Sequence, residues 1–554
     1  MQCAGARFFW GSLNEGQLMR SLFRLLGLPR LIASRLAAGI ALSALAGGPL
    51  AAAEFKFAAP LDAYTLDPHA VANTFIFAIL ANVYEPLVRR GGDLSLEPAL
   101  ATSWKQVDDT TWRFELRKGV RFQDGGSFTA ADVVFSFGRA KAGGIKTNLA
   151  TLESVNAVDD YTVDIKTRGI DPIVPMEITG WYMMERAWAE KNGAVQPGSA
   201  DNKTETYANH HTNGTGPYRI VARDPGLKIV FESNPDWWDK PKGNIDKATF
   251  FVIPNASTRV SALISGEVDM IDSLPPQDTP RIEATKGLKV IASPDLRLVY
   301  MQPDIARDEL LYSDVKGKNP FKDKRVREAM RLVIDVEAIK SKVMRNFSIP
   351  TGTLIAKEIN GYDAGLGKPV VPDLARAKAL MAEAGYPNGF TVTLDCTNDR
   401  FMNDEATCVA ISGFLSRIGI KAEVRAQTTG KWAQQINPPG YTTSLALVGY
   451  SPFTYDAHIF LNSIVGTRDA SAGRGIFNIG GFSDPQVDAL IARIQSDKDA
   501  DERRGLIKEA LTRVGDGAAY FPIHQLEILW GAKDNVSVVQ PADLAFPLRL
   551  FTVK

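Results

Sequence analysis

Two stretches of the chain alternate hydrophobic and polar residues. In "TWRFELRKGVRF", Trp112, Phe114 and Leu116 oppose Arg113, Glu115 and Arg117, and in "YTVDIK", Tyr161, Val163 and Ile165 recur at every second place. A period of two predicts half-exposed strands. Elsewhere the spacing becomes helical. "DLARAKALMAEAGYPNGF" offers Asp373 as cap, Leu374, Ala377, Leu380, Met381 and Ala384 as the apolar face, and Gly385 as the stop. "SDPQVDALIARI" has a Ser or Asp cap, Pro485 in the first turn, and Val487, Leu490, Ile491 and Ile494 at helical spacing. Strands and helices are mixed throughout, with no repeat of solenoid period and no low-complexity tract. The pattern predicts an α/β (mixed α+β) architecture with more than one lobe.

Three further segments have local readings. Thr129 in "FTAADVVFS" caps a helix whose first turn carries Asp132 toward the positive end of the dipole. Gly214 and Gly216 allow a sharp bend before Pro217 and a strand at Tyr218. Gly266 ends a helix, after which Val268 and Met270 alternate in a strand. All three are scaffold roles.

Composition narrows the class of protein. The 554 residues are 45% hydrophobic and 9% aromatic, enough for large cores in more than one domain. Lys plus Arg and Asp plus Glu number 63 each, so no basic excess points to nucleic acid or an anionic membrane surface. The N-terminus then shifts the balance. From Met19, "MRSLFRLLGLPRLIASR" carries four arginines and no acid, followed by "LAAGIALSALAGGPL" and "AAAEF". A basic region, a short apolar region and small residues at a cleavage point predict a signal peptide over 1–53, with Met19 a plausible true start. The apolar run is too short and too rich in Gly and Ala for a membrane span. Its removal takes away five arginines and one glutamate, leaving 58 basic against 62 acidic side chains, a net charge of −4. No cysteine stands at the cleavage point, so the expected product is exported to the periplasm and is not a lipoprotein.

Export bears on the cysteines. Cys396 and Cys408 lie in "DCTNDRFMNDEATC", Cys396 after the alternating "TVTLDC" and Cys408 in a helical stretch capped by Asn403 or Asp404, with Ile411, Phe414, Leu415 and Ile418 on one face. A strand-to-helix loop brings two such Cα atoms within the roughly 4.4–6.8 Å that a disulfide needs. An oxidising compartment favours that bond over the alternative, two reduced core cysteines. Closing a loop of this size adds about 3 kcal/mol in the chain-entropy treatment. Redox chemistry would want a closer C-x-x-C, and zinc more ligands. The pair reads as a staple around "TNDRFMND".

Catalytic signatures were sought and are missing: no H-E-x-x-H, G-x-S-x-G, P-loop or dinucleotide fingerprint occurs. Of the five histidines, His210 and His211 in "ANHHTNGTGPY" read as a polar loop. A glycosidase pair assembled from distant carboxylates stays open, but no spacing points to one. No catalytic residue, metal site or cofactor is assigned.

An ordered set of segments resembles the family 5 solute-binding proteins of ABC transporters, which include dipeptide- and oligopeptide-binding proteins. The set runs from "YTLDPHAVANTFIFAILANVYEPLV" through "LEPALATSWKQVDDTTWRFELRKGVRFQDGGSFTAADVVFSF", "GTGPYRIV", "NPDWWD" and "PNASTRVSALISGEVDMID" to "NPFKDKRVREAMRLVIDVEAI", "DLARAKALMAEAGYPNGF" and "FPIHQLEILW". The resemblance implies a two-lobed periplasmic-binding-protein fold with an extra subdomain in lobe I, closing about a hinge on its ligand. It places lobe I at 54–297, with the extra subdomain about 96–213, lobe II at 298–520, and a return segment at 521–554. The crossings between lobes fall near 295–302 and 520–525. The implied partners are a peptide or small-molecule ligand and the membrane subunits of an ABC permease with their ATPase subunits. A monomer that binds no nucleic acid is expected, and no bond is made or broken. The alternatives are the same transport role for an opine or oligosaccharide and, distantly, an exported hydrolase.

For the ligand, "VGYSPFTYDAHIFLNS" resembles the family's G-W-x-x-D segment, in which an acid pairs with a peptide's α-ammonium. Here Tyr450 is the aromatic and Phe453 stands where the acid would be, with Asp456 the nearest carboxylate. Either Asp456 substitutes, or ammonium recognition is lost. Tyr450, Phe453 and Tyr455 form a stacking wall or pack in the core. Asn398 and Arg400 lie on the stapled loop, where Arg400 clamps a carboxylate or serves a structural ion pair.

Overall fold

Caps and stops place the helices where the spacing predicts them. Helix Leu374–Glu383 starts behind Asp373, whose side chain accepts from Arg376 N at 2.9 Å, and Gly385 beyond it has φ +85°. Helix Pro485–Ser496 is capped by Asp484, and Val487, Leu490, Ile491 and Ile494 are buried. Thr129 and Asp132 form a reciprocal capping box before helix Ala130–Ala142, the Thr129 N–H donating to Asp132 Oδ2 at 2.9 Å. Gly266, at φ +82°, closes helix Ala256–Ser265. The strand after it is short, only Met270–Ile271, although Val268 is buried too.

The computed structural model describes residues 53–199, 204–438, 440–452 and 454–554. The expected leader, apart from Ala53, and Met19 lie outside the described residues, as does Phe453. No helix among the described residues is long and apolar enough to cross a membrane.

Eleven strands form one continuous sheet. At one end, Thr391–Thr397 lies between Lys421–Gln427 and Leu445–Tyr450, parallel to both. At the other, Ala53–Ala59 runs parallel to Ile245–Val252, and a meander of Lys228–Ser233 and Tyr218–Asp224 follows. The two ends are joined by the long antiparallel strands Leu288–Pro303 and Phe521–Lys533. Their ladder shifts register between Pro294 and Leu298 and again between Val299 and Tyr300. Only beyond Leu298 does the first of them pair with Leu445–Tyr450. Such shifts bend and twist a strand locally.

Separate cores follow from this division. One gathers Phe55, Phe57, Phe250 and Trp530, while two others flank the strands at the opposite end around Tyr300, Phe460 and Ile507 and around Val392, Leu394 and Ile411. A four-stranded antiparallel sheet, with Thr111–Leu116 and Thr162–Thr167 as its central pair, carries its own core with Phe114, Val163 and Ile165 inward. Both period-two runs are therefore neighbours in one sheet.

The glycines of "GTGPY" act by close approach. Neither Gly214 nor Gly216 has a positive φ, but a Cβ on either would come within 1.9 and 2.6 Å of the Val83 carbonyl oxygen. Gly216 N–H donates to that oxygen at 2.8 Å. The expected bend is thus a docking of two backbones. A second buried device is electrostatic: the Arg139 guanidinium holds Asp67 bidentately at 2.6 Å and also reaches His69 Nδ1, all three side chains being buried.

Candidate ligand-binding site

In open α/β sheets the chain leaves the carboxyl ends of parallel strands as loops, and ligands gather there. Strands Thr391–Thr397 and Leu445–Tyr450 end side by side in this way. The first leads into Asn398–Asn403 and the second into Ser451–Asp456. The Cys396–Cys408 disulfide, with Cα atoms 6.6 Å apart, ties the first loop to helix Asp404–Ser416. Within that loop Asp399 Oδ1 accepts from Thr429 N–H at 2.7 Å, at the start of helix Thr429–Ile436. Asn403 enters the left-handed region at φ +52°, and its amide donates to Val343 O at 2.9 Å, with Asp404 and Glu405 making the first helical turn acidic.

A cavity of about 210 Å³ opens beside these loops, lined by Ser451, Pro452 and Tyr455, by Leu296 of the register-shifted segment, and by residues of the N- and C-terminal regions. One water needs only about 10–15 Å³ in the same measure. The space therefore suits a small solute. Phe77, Tyr84, Trp181 and Tyr182 supply aromatic wall, Arg89, Arg90 and Arg549 the cations, and Glu85, Glu177 and Asp543 the acids. An aromatic-lined cavity with a few convergent polar groups of both signs matches a zwitterionic small molecule.

Tyr455 is the sequence-selected residue that meets this cavity. The Arg90 guanidinium lies 3.4 Å from its ring centroid, and its hydroxyl donates to Asp543 Oδ2 at 3.0 Å. Arg90 also donates to the carbonyls of Leu94, Met176 and Thr454. Burial brings Arg90 down to about 10 and pushes Asp543 up; the Tyr455 hydroxyl is raised by burial and then by the neighbouring Asp543 charge. Glu85 is enclosed by donors, Trp237 Nε1, Trp238 Nε1 and Thr215 Oγ1, while burial raises it. Glu177 accepts from Thr151 Oγ1 at 2.5 Å and is raised by burial and then by Asp171.

The other sequence-selected residues are placed differently. Asp456 is fully buried. Its Oδ1 accepts from Arg503 Nη2 at 2.6 Å and His458 N at 2.8 Å, and its Oδ2 from Arg503 Nη1 at 2.6 Å and Asn360 Nδ2 at 2.7 Å. A carboxylate has about four lone-pair positions, and here four donors occupy them. Tyr450 packs edge-on to Phe460 at 5.5 Å and against Phe477, within a core. Asn398 is exposed, its N–H bonded to Gln427 O. The Arg400 guanidinium sits 4.6 Å over the Trp432 ring, and its Nη1 is buried without a hydrogen-bond partner. Arg90, Glu177 and Asp543 escaped the sequence reading. Only the adjacent basic pair in "PLVRRGG" hinted at the first of them.

The comparisons with known proteins agree with this geometry. Residues 95–472, more than half the chain, match the model of "bacterial extracellular solute-binding proteins, family 5 Middle". The glutathione-binding protein GsiB of Shigella flexneri serotype 5b (strain 8401) is 26% identical over 504 residues, covering 88% of this chain and 92% of that protein. The periplasmic binding protein DppA of Helicobacter pylori, solved with the peptide STSA, superposes with a TM-score of 0.73 at 24% identity over 91% of this chain and 98% of that one. AgaA of A. tumefaciens R10, solved with agropinic acid, gives a TM-score of 0.70 at 21% identity over 91% and 99%. These relatives are binding proteins, and the fold is the two-lobed one of periplasmic binding proteins. The chain belongs to the bacterial extracellular solute-binding proteins, family 5.

Proposed function

We propose that this chain is the periplasmic capture component of an ABC importer, taking a peptide or peptide-like solute by closure of two lobes and handing it to a membrane permease with its ATPase subunits. The observation that carries the reading is the cavity: Arg90, Glu177 and Asp543 face Ser451, Pro452 and Tyr455 across it, and the sheet halves behind them are joined by two strands whose ladder breaks at Pro294–Leu298. The lobes are 54–297 with 521–554, and 298–520, the extra subdomain lying about 96–213. A ligand that touches both lobes binds the closed form more tightly and shifts the population toward it. The protein acts as an exported monomer, freed of its leader, and catalyses nothing.

Peptide is the favoured class because the relatives include glutathione- and peptide-binding proteins. With Phe453 uncharged and Asp456 taken by Arg503, an α-ammonium finds its acids in Glu177 or Asp543 of the cavity wall. That change also supports a second reading, an opine, given the AgaA likeness. Titration with glutathione, the peptide Ser-Thr-Ser-Ala and agropinic acid, followed by calorimetry and small-angle scattering, tests the reading. One-to-one saturation by at least one of them, a smaller radius of gyration and no turnover are expected. A radius unchanged at saturation would remove the closure mechanism, and product formation would restore the hydrolase.

A further inference from the structure

Beside the cavity, two guanidinium groups lie close together without an acid bound to either. Arg297 follows Leu296 of the cavity wall. Its backbone N–H donates to Asp295 Oδ1 at 3.0 Å, but among the described residues no hydrogen bond or ion pair reaches its guanidinium. Arg400 is similar. Its backbone N–H donates to Asp404 Oδ2 at 3.1 Å, and its guanidinium contacts the Trp432 face rather than a carboxylate. Both side chains converge on one glycine: a Cβ on Gly449 would lie 3.0 Å from Phe401, the residue after Arg400, and 3.3 Å from Arg297 Cδ.

The surroundings are short of acceptors. Arg400 Nη1, Trp432 Nε1 and the Tyr300 hydroxyl are all buried donors with no hydrogen-bond partner, and Tyr300 and Trp432 are almost wholly enclosed. Buried donors left open in this way call for a ligand or ordered water. The like charges also oppose each other: Arg400 is brought down to about 10 by burial and then by Arg297. Two desolvated cations at the carboxyl ends of parallel strands are held there at a cost that an anion would offset.

We propose that Arg297 and Arg400 form an anion subsite that grips a carboxylate of the solute between two guanidinium groups, so the captured class is acidic, with at least one free carboxylate. The inference rests on the capture reading and deepens it. The subsite uses an arginine from each of two segments, the register-shifted strand and the disulfide-tied loop, so it forms fully only when those segments are correctly set against each other.

Matched ligand pairs test this: glutathione against its dimethyl ester, and Ser-Thr-Ser-Ala against its C-terminal amide, titrated into the wild-type chain and into Arg297→Gln and Arg400→Gln. In the wild type the acid of a bound pair should bind at least about tenfold more tightly than its neutral partner, and each variant should lose most of that ratio while keeping its affinity for the neutral partner. Retained binding of the neutral partner also shows that the variant is folded. Acid and neutral partner binding equally to the wild type, or a ratio that survives both substitutions, overturns the subsite and leaves capture intact. Failure of the wild type to bind glutathione, Ser-Thr-Ser-Ala or agropinic acid overturns the subsite together with the capture reading.

Discussion

Replacing Asp456 with Ala should lower folding stability by about 3–5 kcal/mol, because it leaves the Arg503 guanidinium buried without its counter-charge. Both side chains are nearly inaccessible, and the two bonds between them are 2.6 Å each. The same substitution removes the cap of helix Ala457–Phe460 and the acceptor of Asn360. Urea unfolding at neutral pH reads the loss directly. An ammonium-binding role for Asp456 would instead lower ligand affinity at unchanged stability. The double change Asp456→Leu with Arg503→Met should recover most of the loss, since an apolar pair of similar volume often replaces a buried ion pair at little cost. A single variant as stable as the wild type would refute the structural role.

His524 carries the second large effect. It sits on strand Phe521–Lys533 opposite Val299 and Pro350, 1% exposed, with neither ring nitrogen bonded to a partner. Burial alone brings it down to about 3. The unfolded ring titrates near 6.5, so between pH 6.5 and 3 the unfolded chain holds one more proton and stability falls as pH falls, by up to about 1.4 kcal/mol per unit. Changing the pH from 7 to 4 should therefore cost the wild type about 3 kcal/mol more than it costs His524→Leu. Buried His69 and His458, both brought to about 4 chiefly by burial, contribute the same slope to both proteins, and Glu185, raised to about 7, opposes it equally in both. The comparison thus isolates one ring. At pH 7 the leucine variant should be no less stable, since an apolar side chain leaves no donor or acceptor unmet. Parallel stability curves for the two proteins would show that the ring protonates freely in the fold.

Much of the scaffold was legible because its causes are local. Asp373, Asp484 and Thr129 cap the helices that follow them within three residues, and period-two alternation at Trp112 and Val163 gives the two central strands of one small sheet. The disulfide was legible for a related reason: a strand, a short loop and a helix bring its ends together whatever the rest of the chain does. The site was read less well. The spacing of "YSPFTYD" makes Asp456 a substitute for a missing acid, but Arg503, 47 residues on, claims it. Gly214 and Gly216 look like hinge glycines, yet Val83, more than a hundred residues earlier, is what forbids a side chain there. Arg90, Tyr455 and Asp543 meet only after the chain has returned near its C-terminus. Contacts of that range leave no spacing in a single sequence.

Native mass spectrometry of the protein purified gently from its source compartment tests the central claim most directly. The account predicts one equivalent of a small acidic, peptide-like solute, released and identified on denaturation, and absent when Arg297 and Arg400 are both replaced by Gln. A neutral or cationic solute held in its place, or an acidic one retained by the doubly substituted protein, would contradict it.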